Sequence, residues 1–235
     1  FGAESQANIT NDNGFNYTVK NNGNALVKVT NPEYTLDVVS DKNGKAYKKP
    51  IFSNSSSISA VGAPDLPSRT TFIAVDPSKS YSLQVSYGSS RIIENIDIAP
   101  KGDWNELGSD QIISESDYLN IESFYPANIA LLSEPMAMRE LSLVSLTVSP
   151  FRYFPQEKRL EEFMDIEVEL IETGNRESIN FFPNKRSRAF EPLYESLVEN
   201  YSSLNREIIP YQRPSILYVL PNNIGNLLGT VEVLM

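Results

Sequence analysis

The most limiting feature of this sequence is a series of short segments in which apolar and polar side chains alternate. The clearest spans residues 164–170, where Met164, Ile166, Val168 and Leu170 alternate with acidic residues. Because successive side chains of a strand point to opposite faces, this period of two predicts a strand with one buried face. About eight to twelve such segments, separated by turn residues, predict a mainly β chain that folds as an antiparallel β-sandwich or a similar layered structure.

The candidate strands begin near the N-terminus and continue through most of the chain. Between two of them, Asn43-Gly44 is the dipeptide that most strongly favours a tight hairpin turn. The segment at residues 141–148 is apolar at most positions of both faces, so we expect it to be buried on both sides. The predicted strands are residues 15–19, 26–29, 34–38, 46–52, 71–75, 81–87, 92–98, 129–132, 141–148 and 164–170.

Residues 189–220 form a joint at which this β character stops. An amphipathic helix is predicted first, with Pro192 in its first turn, where a missing N–H costs nothing. A polar connector without any period follows and contains Asn205 and Arg206. Residues 216–220 are a continuous apolar run, typical of strands buried on both faces in parallel sheets. The apolar helix positions, spaced by three and four, are Phe190, Leu193, Tyr194, Leu197, Val198 and Tyr201.

Composition excludes several classes of function. The chain has 235 residues, of which 30 are acidic and 20 basic, and its net charge of −10 disfavours nucleic acid and anionic membranes as partners. It has no cysteine and no histidine, so it lacks a thiolate and the commonest general base and metal ligand. We therefore expect no catalytic residue, no metal site, no cofactor and no membrane insertion. Its first residues, Phe1-Gly2-Ala3, do not begin a signal peptide, so any export signal is expected to lie outside this chain.

A row of carboxylates offers the one arrangement with possible chemistry. Asp165, Glu167 and Glu169 lie on the outward face of a predicted strand, just after Glu161 and Glu162. Paired carboxylates serve acid–base catalysis or bind calcium. A solvated strand face explains the same row without a ligand, and this is our interpretation.

Two basic sites flank the predicted helix. Lys185, Arg186 and Arg188 precede it, and Arg206 follows it. In an acidic chain such residues are either solvated surface or sites that basic-specific proteases cut in flexible loops. A cut before the helix would leave its apolar face attached to the wrong product. We therefore predict cleavage between Arg206 and Glu207, with the earlier cluster as the alternative cleavage site.

Several short motifs resemble, in the same order, those of the prodomain of gingipain-type cysteine peptidases running into the start of the catalytic domain. They cover roughly residues 60–220, and the first sixty residues match only in their β character. The motifs are Gly62-Ala63-Pro64-Asp65-Leu66-Pro67, Phe72-Ile73-Ala74-Val75, Ile96-Asp97-Ile98-Ala99-Pro100, Phe124-Tyr125-Pro126, Leu132-Ser133-Glu134-Pro135, Met138-Arg139, Tyr153-Phe154-Pro155, Asp165-Ile166-Glu167-Val168-Glu169, Phe190-Glu191-Pro192-Leu193-Tyr194 and Asn200-Tyr201.

The resemblance implies two regions. Residues 1–206 are expected to fold as a β-sandwich propeptide with a C-terminal helix, and residues 207–235 to begin an α/β, caspase-like catalytic domain. The propeptide would assist folding of a cysteine endopeptidase and keep the zymogen latent until cleavage after Arg206. The family's catalytic histidine and cysteine lie further downstream, so the chain alone is not expected to be an enzyme. Its expected partner is its own catalytic domain, and its expected location is secreted or on the cell surface, reached through a bacterial periplasm.

The long loop after Pro100 is the candidate inhibitory loop. Members of the family insert a substrate-like basic residue from this loop into the specificity pocket. Here Trp104, Asn105 and Glu106 stand near the expected place, and the only basic residue is Lys101. Lys101 reaches the pocket, or the peptidase prefers another residue, or inhibition is purely steric.

A second hypothesis is a non-catalytic cell-surface β-sandwich that binds glycan or protein. The Tyr- and Asn-rich composition favours it. Such a module would be stable without a downstream domain, so expression with and without residues 207–235 distinguishes the two hypotheses.

Overall fold

The computed structural model describes residues 14–41, 43–57, 59–104, 110–111, 121, 123–177 and 185–213. Within these ranges the chain forms sixteen strands, numbered β1 to β16 in chain order, and one α-helix, α1, over Glu191–Leu197. A 3₁₀ turn follows α1 over Tyr201–Ser203. The strands span Phe15–Val19, Ala25–Val29, Thr35–Ser40, Ala46–Ile51, Ser56–Ser57, Pro67–Ala74, Lys79–Ser86, Ser89–Ile93, Asp103–Trp104, Asp110–Gln111, Ala130–Leu132, Met136–Met138, Leu141–Val148, Phe151–Phe154, Arg159–Met164 and Ile166–Asn175.

Two antiparallel sheets pack face to face. The first has the strand order β1-β2-β16-β7, and the second has the order β11-β13-β6-β5, with β12 paired to another stretch of β13. The sheets share one apolar core, to which the first contributes Phe15 and Val168 and the second contributes Ile73 and Leu146. This arrangement confirms the predicted antiparallel β-sandwich. The buried residues of the core are Phe15, Val27, Val29, Ile73, Ile129, Ala130, Val144, Leu146, Val148, Phe163, Ile166, Val168 and Leu170.

The outward face of β16 carries ion pairs. Glu167 pairs with Lys28 at 2.8 Å, and Glu169 pairs with Lys20 at 2.6 Å. Hydrogen bonds from Lys20 and then Asn24 lower the pKa of Glu169 to about 2. Lysines therefore pair with Glu167 and Glu169, which supports the interpretation as a solvated strand face for these two residues. The interpretation is wrong for Glu162, which is 6% exposed and pairs with Arg91 at 2.6 Å. Among the residues that the structure describes, no group of three or more acidic side chains is arranged to hold a metal ion.

β13 is buried on both faces, as predicted, because a third layer covers the second sheet. Val144 and Leu146 point into the sandwich core. Leu141 and Leu143, on the opposite face, form a separate apolar cluster with Tyr194 of α1. The helix therefore packs against the sandwich as part of the same folded unit.

A third sheet, with the order β14-β15-β8, packs over a second apolar core. Motifs that are distant in sequence meet here: Pro64 forms an antiparallel bridge with Pro100, and Tyr125 forms one with Tyr153. Their pairing explains physically why these short motifs occur together in one chain. The buried residues of this core are Phe52, Leu66, Ile96, Ile98, Phe151, Tyr153 and Leu160.

The predicted helix is wrong in its length and in its single apolar face. α1 has 7 residues and ends at Leu197, after which Val198 reaches the apolar cluster from the C-cap and Tyr201 reaches it from the 3₁₀ turn. Tyr194 is buried, but Leu193 and Leu197 are 40% and 37% exposed. Tyr194, Val198 and Tyr201 still share one apolar cluster, so the error in the predicted face lies in Leu193 and Leu197, which are directed away from that cluster.

Two further strand predictions have different outcomes. The strand predicted at residues 92–98 is wrong in position: β8 spans Ser89–Ile93, and Ile96 and Ile98 are buried in irregular chain. The strand predicted at residues 216–220, and with it the caspase-like start, lies outside the described residues. In the described part of the chain no helix has the length and apolar character needed to cross a membrane.

Candidate processing site

The chain that follows α1 binds to the edge of β6. Val198 forms a parallel bridge with Phe72, and the Glu199 N–H donates to the Phe72 carbonyl oxygen at 2.9 Å. The side-chain amide of Asn200 accepts a hydrogen bond from the Ala74 N–H at 2.8 Å and donates one to the Ala74 carbonyl oxygen at 2.9 Å. Asn200 therefore satisfies both backbone groups of a strand residue, as a neighbouring strand would.

Arg206, the predicted cleavage residue, is buried. It is 6% exposed, and its Nη2 donates to Glu140 Oε1 at 2.6 Å. Its Nη1 donates to the Tyr201 hydroxyl. The guanidinium carbon lies 5.1 Å from the ring centroid of Tyr201 and 5.4 Å from that of Tyr194. Since a buried charge is tolerated only when it is paired and hydrogen-bonded, Glu140 and Tyr201 make the burial possible.

Glu140 is shared between Arg206 and a buried tyrosine. Its Oε2 accepts a hydrogen bond from the Tyr194 hydroxyl at 3.2 Å. Burial, followed by the negative charge of Glu140, raises the pKa of Tyr194 to about 12. The hydroxyl therefore keeps its proton at neutral pH and remains a donor.

A second ion pair lies beside the first. Arg186 donates to Glu191 through Nε at 2.9 Å and through Nη2 at 3.0 Å. This two-bond geometry is the strong form of an arginine–carboxylate contact. The hydrogen bonds between them lower the pKa of Glu191 and raise that of Arg186, so both stay charged at neutral pH.

The Tyr201 hydroxyl connects the two ion pairs. It donates to Glu191 and accepts from Arg206. Burial, followed by the hydrogen bond to Glu191, raises the pKa of Tyr201 and keeps the hydroxyl protonated. We call this connected set the arginine cluster; its members are Glu140, Arg186, Glu191, Tyr194, Tyr201 and Arg206.

The basic segment, residues 185–188, pairs with residues 210–212. The Arg186 N–H donates to the Pro210 carbonyl oxygen at 3.0 Å, and the Gln212 N–H donates to the Arg186 carbonyl oxygen at 2.8 Å. The two predicted cleavage sites are therefore in contact, although about twenty residues of chain separate them.

The carbonyl group of Arg206 is also bound. Arg186 Nη1 donates to its oxygen at 3.2 Å, and the Ile209 N–H donates to the same oxygen at 3.0 Å. The second bond closes a tight turn over residues 206–209. Hydrogen bonds within the fold thus hold both the Arg206 side chain and the carbonyl oxygen of the peptide bond between Arg206 and Glu207.

The four basic residues of the two sites lie in different environments. Lys185 and Arg188 are exposed, Arg186 is half-buried and Arg206 is buried. The residues on either side of Arg206, Asn205 and Glu207, are exposed, whereas Arg206 itself is buried because Glu140 supplies an opposite charge from 66 residues earlier in the chain. Nothing in the sequence pattern singles out Glu140, since no period relates it to the connector.

The candidate inhibitory loop is described in part. Lys101 lies at its start, where two backbone hydrogen bonds of 2.7 Å and 2.9 Å hold it to residues 62–63. Trp104 lies in β9, which pairs with β10. Asn105 and Glu106 lie outside the described residues. The base of the loop is therefore fixed to the part of the chain that carries the second core.

Residues 19–208 match the model of a protein family described as Propeptide_C25. The match covers well over half of the chain and ends two residues after Arg206. The chain belongs to this propeptide family. Gingipain R2 of Porphyromonas gingivalis is 32% identical to the propeptide over 162 residues, which cover 66% of the chain and 22% of the relative. Gingipain R1 of the same organism is 28% identical over 160 residues, which cover 65% of the chain and 16% of the relative.

These relatives are much longer than the propeptide chain, which spans less than a quarter of their length. The matches confirm the resemblance to gingipain-type prodomains that the ordered motifs indicated.

Two solved structures share the fold of the propeptide. A chain in a complex of the pro- and mature domains of RgpB from Porphyromonas gingivalis has a TM-score of 0.62 at 24% identity, covering 83% of the propeptide and 100% of that chain. A structure of zymogenic latency in gingipain K from the same organism has a TM-score of 0.55 at 18% identity, covering 67% and 92%. At these identities the likeness establishes the fold, which is the β-rich fold of gingipain prodomains.

Proposed function

We propose that this propeptide belongs to the zymogen of a gingipain-like cysteine endopeptidase, which it helps to fold and keeps latent. The observation that carries the proposal is the family match over residues 19–208. The shared fold with the RgpB chain, which was solved in a complex of pro- and mature domains, supports it. The partner would be the catalytic domain of the same protein.

The latency role predicts that residues 1–206 inhibit the mature peptidase when added in trans. Titration of the active enzyme with this fragment measures the effect. Absence of inhibition at micromolar fragment would remove the latency role and leave the folding role. Refolding of denatured catalytic domain with and without the fragment tests the folding role separately.

Variants of the candidate inhibitory loop distinguish its modes of action. If Lys101 enters the specificity pocket, Lys101→Gln should weaken inhibition strongly, whereas steric inhibition should survive it. Trp104→Ala is the comparison variant, because Trp104 is the other candidate residue of this loop that lies within the described residues. The fixed base of the loop supports a role for it in presenting a defined surface.

We also propose the domain boundary between Arg206 and Glu207. The packing of α1 on the sandwich and the contact of Asn200 with β6 support it, because both join the helix and the chain after it to the sandwich. N-terminal sequencing of the activated enzyme should then begin at Glu207. A start at Ser187 or Ala189 would instead assign the helix to the catalytic domain.

The same kinship supports export of the protein. Gingipains are secreted or cell-surface peptidases, so we propose that this propeptide is exported with its peptidase, by way of a bacterial periplasm. Fractionation of the source cells, with immunodetection of the propeptide in medium, surface and periplasm, tests both the destination and the route.

A further inference from the structure

The bond proposed for processing is better protected than a usual cleavage site. Proteases cut preferentially at exposed loop tips, where the chain can leave its folded contacts at little cost. Arg206 has a buried side chain paired with Glu140 at 2.6 Å. Its carbonyl oxygen accepts hydrogen bonds from Arg186 and Ile209. A protease can therefore cut here only after this part of the fold opens.

Arg186 takes part in more of these restraints than any other residue of the basic segment. Its side chain binds Glu191 through two hydrogen bonds and the carbonyl oxygen of Arg206 through a third. Its backbone forms a parallel bridge with Tyr211, on the far side of the proposed cut. The Tyr211 ring centroid also lies 4.4 Å from the Arg186 guanidinium and 4.9 Å from that of Arg188.

We propose that the basic segment, residues 185–188, is a lock on the bond between Arg206 and Glu207, and that Arg186 is its central residue. The lock joins the chain on both sides of the bond to the helix. Processing is then limited by release of the lock and not by the presence of an arginine. This inference rests on the proposed function, which makes this bond the processing site.

The lock makes a quantitative prediction about cleavage rates. When a folded region opens and closes faster than a protease cuts it, the rate follows the population of the open form. Loss of a charge-assisted hydrogen bond changes such a population by about tenfold or more. Removal of the Arg186 side chain should therefore speed cleavage after Arg206 by at least about tenfold.

Trypsin digestion of the folded chain, residues 1–235, tests the lock. Every protein in the comparison carries Lys185→Gln and Arg188→Gln, so that trypsin cannot cut the basic segment at its exposed residues. The rate at which Glu207 appears as a new N-terminus is measured by mass spectrometry, with and without Arg186→Gln. We expect it to be at least about tenfold faster with Arg186→Gln. Equal rates would overturn the proposal.

Two more variants separate the lock from general loss of stability. Tyr211 is 38% exposed, and Tyr211→Ala removes the ring that contacts the Arg186 guanidinium. This variant should speed cleavage after Arg206 without speeding cleavage at other tryptic sites. Arg159→Gln, which removes an ion pair with Glu157 elsewhere on the surface, should leave the rate unchanged. Faster cutting at all tryptic sites together would contradict the lock, because it reports global unfolding.

Failure of the lock and failure of the proposed function give different results. An activated enzyme that begins elsewhere than Glu207 would refute the processing site. The tryptic rates would still report whether Arg186 protects the bond. Unchanged tryptic rates in an enzyme that does begin at Glu207 would refute the lock alone.

Discussion

Arg206 and Arg188 are the same type of residue, yet one is buried and the other is exposed. Arg206 is 6% exposed and pairs with Glu140 at 2.6 Å. Arg188 is exposed, and its guanidinium lies 4.9 Å from the ring of Tyr211, which is itself part-exposed. The difference comes from partners that are distant in sequence. A basic residue in a polar connector is thus not by itself an accessible cleavage site.

The sharpest test of this difference removes the charge opposite Arg206. Glu140→Gln removes the 2.6 Å partner of a buried guanidinium and leaves it only the carboxylate of Glu191 at 4.0 Å, so we expect the free energy of unfolding to fall by about 3 kcal/mol. Urea unfolding followed by circular dichroism measures the change. Glu157→Gln, which removes the exposed partner of Arg159, is the matched control and should cost at most about 1 kcal/mol. Equal losses would mean that Arg206 is not held by its ion pair.

A second variant tests whether residues 198–200, which precede Arg206, anchor this part of the chain to β6. Asn200→Ala leaves the N–H and carbonyl of Ala74 without their partner, so we expect a loss of about 1 to 3 kcal/mol. Hydrogen exchange at the Ala74 amide should accelerate in parallel. Asn22→Ala removes an exposed amide that lies 3.4 Å from Glu169, and it should change stability little. If the two variants behave alike, residues 198–200 do not anchor the joint.

A smaller effect is expected from the tyrosine that shares Glu140. Tyr194→Phe keeps the ring beside Arg206 but removes the hydroxyl that donates to the carboxylate. We expect a loss of about 1 kcal/mol in the free energy of unfolding. Tyr211→Phe is the control on the exposed side and should stay within about 0.5 kcal/mol of the unchanged chain. A larger loss for Tyr211→Phe than for Tyr194→Phe would contradict the view that the surroundings of Arg206 contribute more to stability than those of Arg188.

The smallest predicted effect concerns the acid titration of Glu191, which Arg186 holds charged. Its pKa is lowered from 4.5, so its contribution to stability is complete above that pH and is lost as the pH falls through the lowered value. Titration followed by NMR should therefore give a midpoint below 4.5. Arg186→Gln should raise this midpoint, whereas Arg188→Gln should leave it unchanged. If Arg186→Gln leaves the midpoint unchanged, Arg186 is not the cause of the lowered pKa of Glu191.

The sheets are the part of this fold that the sequence predicts well. Alternation in β16 and two-sided apolarity in β13 are properties of neighbouring residues, and burial follows them residue by residue. The helix was predicted too long because periodicity continues through Val198 and Tyr201, although they reach the core from chain outside the helix. A pattern gives the apolar positions but not the point at which tertiary contacts end a helix.

The environment of Arg206 could not be predicted in the same way. It depends on Glu140, 66 residues earlier, and on a hydroxyl of Tyr201 whose neighbours are charged. Neither contact follows from a period, and the Asn200-Tyr201 motif does not identify the charged partners of Tyr201. The role of the basic residues in cleavage stays a prediction, and whether each one is exposed or buried is decided by these long-range partners.

The Asn200 contact also bears on the solubility of the released product. An uncovered strand edge is a template on which other chains can pair and aggregate. Because residues 198–200 cover β6 at Phe72 and Ala74, a product that retains them carries its own protection at that edge. A product that ended before α1 would present the same edge to other molecules. The proposed cut after Arg206 would leave residues 198–200 on the propeptide, where they cover this part of the edge of β6.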